Sequence, residues 1–384
     1  MTRRLPIGAC LAGTAVLLIG LPRPALAQGS SADTDTPWQV VPGDGSSQAP
    51  PAGMSGDAKA DWQQIEAMDS TPPAGQWTTR EQARAGTIEY LGRQEQGLRG
   101  FIAAYPGDTH ASEAKLRLAH LLATRADIEQ DPRQRRASDA ILDELEKEPV
   151  MKDRRADVEF ARVSIFMQRV DALSGANRDT LLEKARGFAK QFPEDHRVAA
   201  LLAEVASAFD DQPRTARALL EQALPDAKTA ELRARIGDDL KRLALLGKPL
   251  EMRWTGVDGT RVDLASLRGK VVLIYFFASW SPPSMLELDW ARQLTGRAPA
   301  DVLQAVGICL DSDPVSVPSM LAQHEITWPV YCDGHGWQGD LVRSLGINSL
   351  PELWIVDREG VLRSLDAKDD AVALIEKAAG ESGQ

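Results

Sequence analysis

The stretch VVLIYFFASWSPPSMLELDWARQL, residues 271–294, decides the fold. Its first seven residues, Val271 to Phe277, are apolar without alternation, which predicts a strand buried on both faces. Trp280-Ser281-Pro282-Pro283-Ser284 ends the strand, and apolar residues at helical spacing predict a helix over 286–294. Ser284 stands three residues before Glu287, the spacing of a capping box, and Ser281 can cap the same helix one turn earlier.

Elements continue on both sides. Upstream, residues 252–264 read as a hairpin around Asp258-Gly259, following a helix break at Gly247-Lys248-Pro249. Downstream, the pattern predicts a strand over 302–310, a helix over 315–324 and a short strand over 329–331. A helix near 339–345, strands over 352–356 and 361–365 and a helix over 369–379 complete the chain. Strands alternating with helices imply a central mixed sheet with helices on both faces, an α/β domain over 247–384.

Four segments carry a family resemblance: Asp263-Leu-Ala-Ser-Leu-Arg-Gly-Lys270, Phe276-Phe-Ala-Ser-Trp280, Trp328-Pro-Val-Tyr-Cys-Asp333, and Leu345-Gly-Ile-Asn-Ser-Leu-Pro351 with Leu353-Trp-Ile-Val-Asp357. Together they resemble the TlpA/ResA-type branch of the thioredoxin superfamily, which borders the AhpC/TSA redoxins. The resemblance covers about the last third of the chain. It implies a thioredoxin-like fold, a cis-proline at Pro351 and a redox motif of the form Trp-Cys-x-Pro-Cys-x-x-Glu. Here Trp280, Pro283 and Glu287 match that motif, while Ser281 and Ser284 stand at both sulfur positions.

That replacement decides the chemistry. Disulfide exchange needs a thiolate and passes through a mixed disulfide. A serine hydroxyl does neither near neutral pH, so the motif is expected to supply no catalytic residue. A hydrolase role for Ser281 would need a base such as His324 or His335, and helix capping accounts for both serines more simply. In active relatives the cis-proline faces the redox motif and helps hold an extended chain. Trp280, Pro283, Leu350 and Pro351 are accordingly expected either to form a peptide groove or to serve packing alone.

Cys309 ends one expected strand and Cys332 follows another. Three readings stand open: two thiols packed as small hydrophobes, a disulfide, or a relocated redox pair. Cys332-x-x-His335 offers too few ligands for a closed metal site, and no pattern calls for a metal or other cofactor.

Residues 76–246 read as successive helices with almost no β-branched alternation. Thr78, Thr79 and Glu81 resemble a capping start. Two boundaries match closely. Phe101, Tyr105, Pro106 and Asp108 correspond to Phe188, Phe192, Pro193 and Asp195. Beyond them Ala114, Leu118, Ala119 and Leu122 correspond to Leu201, Val205, Ala206 and Phe209, and Pro132-Arg133 corresponds to Pro213-Arg214. This resembles tetratricopeptide-like repeats loosely, the alternative being an irregular all-α bundle.

The first residues read as an export signal. Arg3 and Arg4 precede an apolar stretch from Ile7 to Leu21, and Ala25-Leu26-Ala27 supplies a cleavage pattern, giving a signal peptide over 1–27. Residues 28–75, rich in Ser, Gly, Pro, Asp and Ala, are expected to be a flexible linker, with Trp38 and Trp62 docking weakly at most. A net charge of −11 argues against a nucleic-acid partner, since phosphate binding requires excess Lys and Arg. Membrane contact is expected only through an uncleaved signal segment.

The expected function is an exported binding or scaffold module without a redox dithiol, taking protein or extended-peptide partners. Two alternatives are a thiol–disulfide oxidoreductase or redoxin-type antioxidant protein using Cys309 and Cys332 or partner thiols, and a structural envelope protein.

Overall fold

A computed structural model describes residues 54–69, 80–168, 175–209, 212–365, 372–373 and 375. The expected signal peptide, Trp38, the cap at Thr78 and Thr79, and most of the closing helix over 369–379 lie outside the described residues. Two compact units divide between Asp195 and His196.

The first unit is all-helical among its described residues: α1 (Ala58–Asp69), α2 (Arg80–Ala104), α3 (Ala111–Glu129), α4 (Pro132–Lys147), α5 (Arg155–Gln168) and α6 (Gly175–Gln191). α3 is its hub, packing against α2, α4 and α5. Its apolar stripe explains this, since Leu116, Ala119, Leu122 and Ala123 are all buried. Small alanines let neighbouring helices approach closely around the larger leucines.

Helix α1 corrects the expectation of a flexible linker for residues 58–69; residues 28–53 and 70–75 of that expected linker lie outside the described residues. Trp62, Ile65 and Met68 fall on one helical face and pack with Leu91, Leu98 and Phe101. The Trp62 ring lies 5.2 Å from Phe101, stacks on His110 at 4.7 Å, and carries the Arg117 guanidinium 4.7 Å above it. Asp57 starts the helix by accepting from the Lys59 amide at 3.0 Å. Inside the helix, Asp61 accepts from the Ser55 amide and from the Tyr105 hydroxyl at 2.6 Å. One large apolar face outweighs the disorder-prone composition around it.

The second unit opens with α7 (Val198–Ala206), α8 (Pro213–Ala223) and α9 (Ala230–Leu245). The two helix boundaries matched in sequence also match in geometry. The Tyr105 amide returns to the Phe101 carbonyl and the Phe192 amide to Phe188, each at 2.9 Å. Phe101–Tyr105 and Phe188–Phe192 rings sit 5.1 and 5.3 Å apart. Pro132 and Pro213 each occupy the first turn of a helix, where the missing amide costs nothing.

Strands β1 (Arg253–Thr255) and β2 (Arg261–Asp263) form an antiparallel hairpin, with Gly259 at φ 83° in its turn. The main sheet has five strands, β3 (Val271–Phe277), β4 (Leu303–Cys309), β5 (Val330–Tyr331), β6 (Glu352–Val356) and β7 (Leu362–Ser364). Their order is β5-β4-β3-β6-β7, parallel from β3 through β5 and antiparallel from β3 through β7. Every residue of β3 is buried, as a central strand covered on both faces requires. Helices α10 (Pro282–Arg297), α11 (Val317–Gln323) and α12 (Asp340–Leu345) lie between the strands. Val271, Leu273, Tyr275 and Phe277 of β3 pack with Leu288 and Ala291 of α10. On the other face Phe276 meets Trp354 at 4.9 Å.

This sheet order and its helical connections make a thioredoxin-like fold. Helix α10 starts at Pro282, four residues before the expected start, because Ser281 is its N-cap and proline suits the first turn.

Candidate functional site

The register of the sheet gathers the candidate residues along one end. Phe277 closes β3 opposite Cys309, and Phe276 pairs with Glu352, so Pro351 comes next beside Phe277. Gly307 pairs with Val330 and Ile308 with Tyr331, so Cys309 comes next beside Cys332. Continued one residue past the last paired residues, the register lines up Cys332, Cys309, Phe277 and Pro351 along one end of the sheet, Cys332 just after β5 and Pro351 just before β6. Ligands of open α/β sheets bind outside the carboxyl ends of parallel strands, and the turn into α10 leaves from that end.

Within that turn both serines are engaged with the helix start. Ser281 accepts from the Ser284 amide at 3.4 Å, and the Ser284 hydroxyl lies 3.0 Å from the Ser281 hydroxyl. Both are buried, Ser284 completely. The Tyr275 hydroxyl donates to the Ser284 carbonyl from below. This corrects the capping-box expectation, because Ser281 is the N-cap and Ser284 sits at the third helical position. The Ser281 hydroxyl is also not paired with an imidazole. His324 faces Asp289 at 3.8 Å and His335 faces Asp333 at 3.6 Å.

Around the serines the surface is aromatic. Trp280 is 57% exposed, and its ring lies 6.3 Å from Trp337, itself 39% exposed. Pro283 is exposed, Glu287 is half-buried on the first turns of α10, and Leu350 is half-buried. The Leu350–Pro351 peptide is cis. Pro351 itself is buried.

The cysteines are free thiols. Cys309 is buried and Cys332 half-buried, and the two are within hydrogen-bonding reach of each other. Cys332 also donates to the Asp311 carbonyl at 3.4 Å. The Asp311 carboxylate accepts from the Ser279 amide at 2.8 Å, tying this strand end to the turn that carries Trp280.

Residues 223–378 match the Redoxin family model. The C-terminal region is a redoxin domain. Among curated relatives, thiol-disulfide oxidoreductase ResA of Bacillus cereus (strain ATCC 10987 / NRS 248) is 22% identical over 106 residues, 28% of this chain. ResA of Oceanobacillus iheyensis is 26% identical over 109 residues, covering 28% of this chain and 55% of the relative. The thiol:disulfide interchange protein DsbE of Yersinia pestis is 27% identical over 130 residues, 33% of this chain and 66% of the relative. The chain spans 60% of the length of the B. cereus ResA. A solved structure described as a thiol:disulfide interchange protein DsbE from Chlorobium tepidum is 26% identical, covering 34% of this chain and 94% of its own, with TM-score 0.29.

The redoxin match begins upstream of β1 and takes in α9, and the structure supplies a physical reason. Arg242 of α9 pairs with Glu352, the residue after the cis-proline, and with Asp239 at 2.8 Å. Glu352 also accepts from the Trp354 indole and the Ser349 hydroxyl, each at 2.9 Å. Asn348 donates to Asp239 at 2.9 Å, and burial raises the Asp239 carboxyl above the usual aspartate range against the pull of Arg242. Gly346, at φ 73°, lies so close to the Asp238 backbone that a Cβ there would collide with its carbonyl. Helix α9 therefore buttresses the cis-proline loop.

Sequence reasoning missed Trp337, Asp311 and this buttress. Trp337 carried a signal, a tryptophan set in the glycine-rich run Gly334-His-Gly-Trp-Gln-Gly339.

Proposed function

We propose that the redoxin domain of this chain is a binding or scaffold module that keeps the thioredoxin frame and has given up dithiol exchange at the motif positions Ser281 and Ser284. One observation carries the reading: the hydroxyls of Ser281 and Ser284 stand 3.0 Å apart at the head of α10, where the related motif has two sulfurs. Helix N-termini lower a thiol's pKa from about 8.5 and so activate it. Neither hydroxyl forms a disulfide, and Ser281 is occupied as the N-cap.

A surface for an extended peptide is supported by Trp280 and Trp337, both exposed and with rings 6.3 Å apart, beside the turn into α10. Aromatic side chains of this kind supply contact area at low entropic cost. The helical region, read as tetratricopeptide-like, would extend the scaffold. Arg3, Arg4, the apolar stretch from Ile7 to Leu21 and Ala25-Leu26-Ala27 support export to the periplasm or cell envelope. The charge of −11 favours protein over nucleic-acid partners.

The second reading is thiol–disulfide exchange through Cys309 and Cys332, favoured by their adjacency and by the names of the relatives. Insulin reduction with dithiothreitol separates the two. The binding reading expects background rates from the wild type and from Cys309→Ser/Cys332→Ser alike. Activity in the wild type that disappears in the variant would overturn it. Peptide crosslinking from a photoreactive residue at Trp280 or Leu350 then distinguishes a binding module from a purely structural envelope protein, which gives none.

A further inference from the structure

Two thiols end the parallel half of the sheet side by side. Continued one residue past Tyr331, the β4–β5 register brings Cys309 next to Cys332, and both pack in one cluster with Phe277, Trp328 and Val330. Neighbouring strands lie about 4.7–4.9 Å apart, inside the window of about 4.4–6.8 Å between Cα atoms that a disulfide spans. Cys309 is 2% exposed, whereas Cys332 reaches the surface. The mechanism suggested by the family motif uses neither.

We propose that Cys332 and Cys309 are a reversible disulfide site for small-molecule disulfides, with Cys332 the attacking thiol and Cys309 the resolving one. The site stands on strand register and exposure, independently of peptide binding at the Ser281 turn.

The exchange balances in two steps. Cys332, having released its proton to solvent, attacks one sulfur of R–S–S–R. A Cys332–S–S–R bond forms, and the first RS⁻ leaves and is protonated. Cys309 then loses its proton and attacks the Cys332 sulfur, which displaces the second RS⁻. Two protein thiols are oxidised to one disulfide, and one small-molecule disulfide is reduced to two thiols.

The local environment favours this order. The neighbouring Cys309 thiol holds the Cys332 pKa below the usual thiol value. The same proximity, together with burial, pushes Cys309 up. Exchange is faster from the more ionised, more accessible thiol. A bridge here would keep the Cys332 sulfur partly exposed, where a solution thiol can attack and reduce it.

The test incubates the reduced full chain with oxidised glutathione, alkylates remaining thiols, and maps peptides by mass spectrometry without reduction. The third cysteine, Cys10, lies in the expected signal peptide over 1–27; it is read in its own peptide and enters neither outcome. A peptide pair joined through Cys309 and Cys332, released by dithiothreitol, is expected. In Cys309→Ala, glutathione should remain on Cys332; in Cys332→Ala, Cys309 should stay unmodified. Both thiols remaining free in the wild type, or glutathione persisting there on Cys332, overturns the proposal. Glutathione on Cys309 in Cys332→Ala overturns the assigned order. The wild-type result decides on the disulfide even where a variant folds poorly.

Discussion

Arg242 of α9 pairs with Glu352 of β6 across 110 residues of sequence, and the carboxylate it meets directly follows the cis-proline. Side-chain exposures of 12% and 1% make this a buried pair. Breaking such a pair from one side leaves a desolvated charge, and the typical cost is about 3–5 kcal/mol. Arg242→Met is therefore expected to lower the stability of the second unit by about that amount in denaturant unfolding. Adding Glu352→Gln should recover part of the loss, because the uncompensated charge is then gone. A loss below about 1 kcal/mol for Arg242→Met would mean that α9 does not buttress the loop.

Helix α1 offers a second check. Trp62 is 5% exposed and fills a space bounded by Phe101, His110 and the Arg117 guanidinium. Trp62→Ala empties that space, and truncations of this size cost about 3–5 kcal/mol. Unfolding followed by tryptophan fluorescence and by circular dichroism should show the loss. If residues 58–69 were only a tether, the substitution would leave the midpoint unchanged.

These two cases show where sequence was informative and where it was not. β3 was legible because Val271 to Phe277 is an unbroken run of aliphatic and aromatic residues with no charge to place it at a surface. The serine-bearing turn and the cis-proline were legible through motif residues at short spacing. Helix α1 was not, since it is only twelve residues long and the partners of Trp62, Ile65 and Met68, such as Leu98 and Phe101, lie on another helix. The role of Arg242 was hidden for the same reason: a basic residue on an amphipathic helix reads as solvated until its buried partner is known. The adjacency of Cys309 and Cys332 depends on strand register, which apolar pattern alone leaves open for a two-residue strand such as β5.

Acid stability should report on Asp61. Burial alone would raise its carboxyl, but hydrogen bonds from the Tyr105 hydroxyl and the Ser55 amide hold it below the ordinary aspartate range. A folded-state value below the unfolded one stabilises the fold above the unfolded pKa of about 3.9 and loses that contribution as pH falls through the folded value. Wild type should therefore exceed Asp61→Asn in unfolding midpoint at neutral pH, with the gap closing as the pH drops below about 3.9. A gap that is constant with pH would assign the effect to hydrogen-bond geometry alone.

The last expectation concerns the two oxygen atoms at the head of α10. Ser281→Ala removes the acceptor for the Ser284 amide and should cost about 0.5–2 kcal/mol, the usual value of an N-cap. Ser281→Cys/Ser284→Cys does something different. It places two sulfurs where the hydroxyls already lie 3.0 Å apart, at a helix N-terminus and beside Trp280. The first of the new thiols should ionise below about 8.5, because the helix start favours its thiolate. Insulin reduction by this double variant should rise above that of the parent, and alkylation of the first position should abolish the gain. A folded double variant that stays at background would locate the loss of exchange in more than the two missing sulfurs, for instance in the exposed aromatic surface around Trp337.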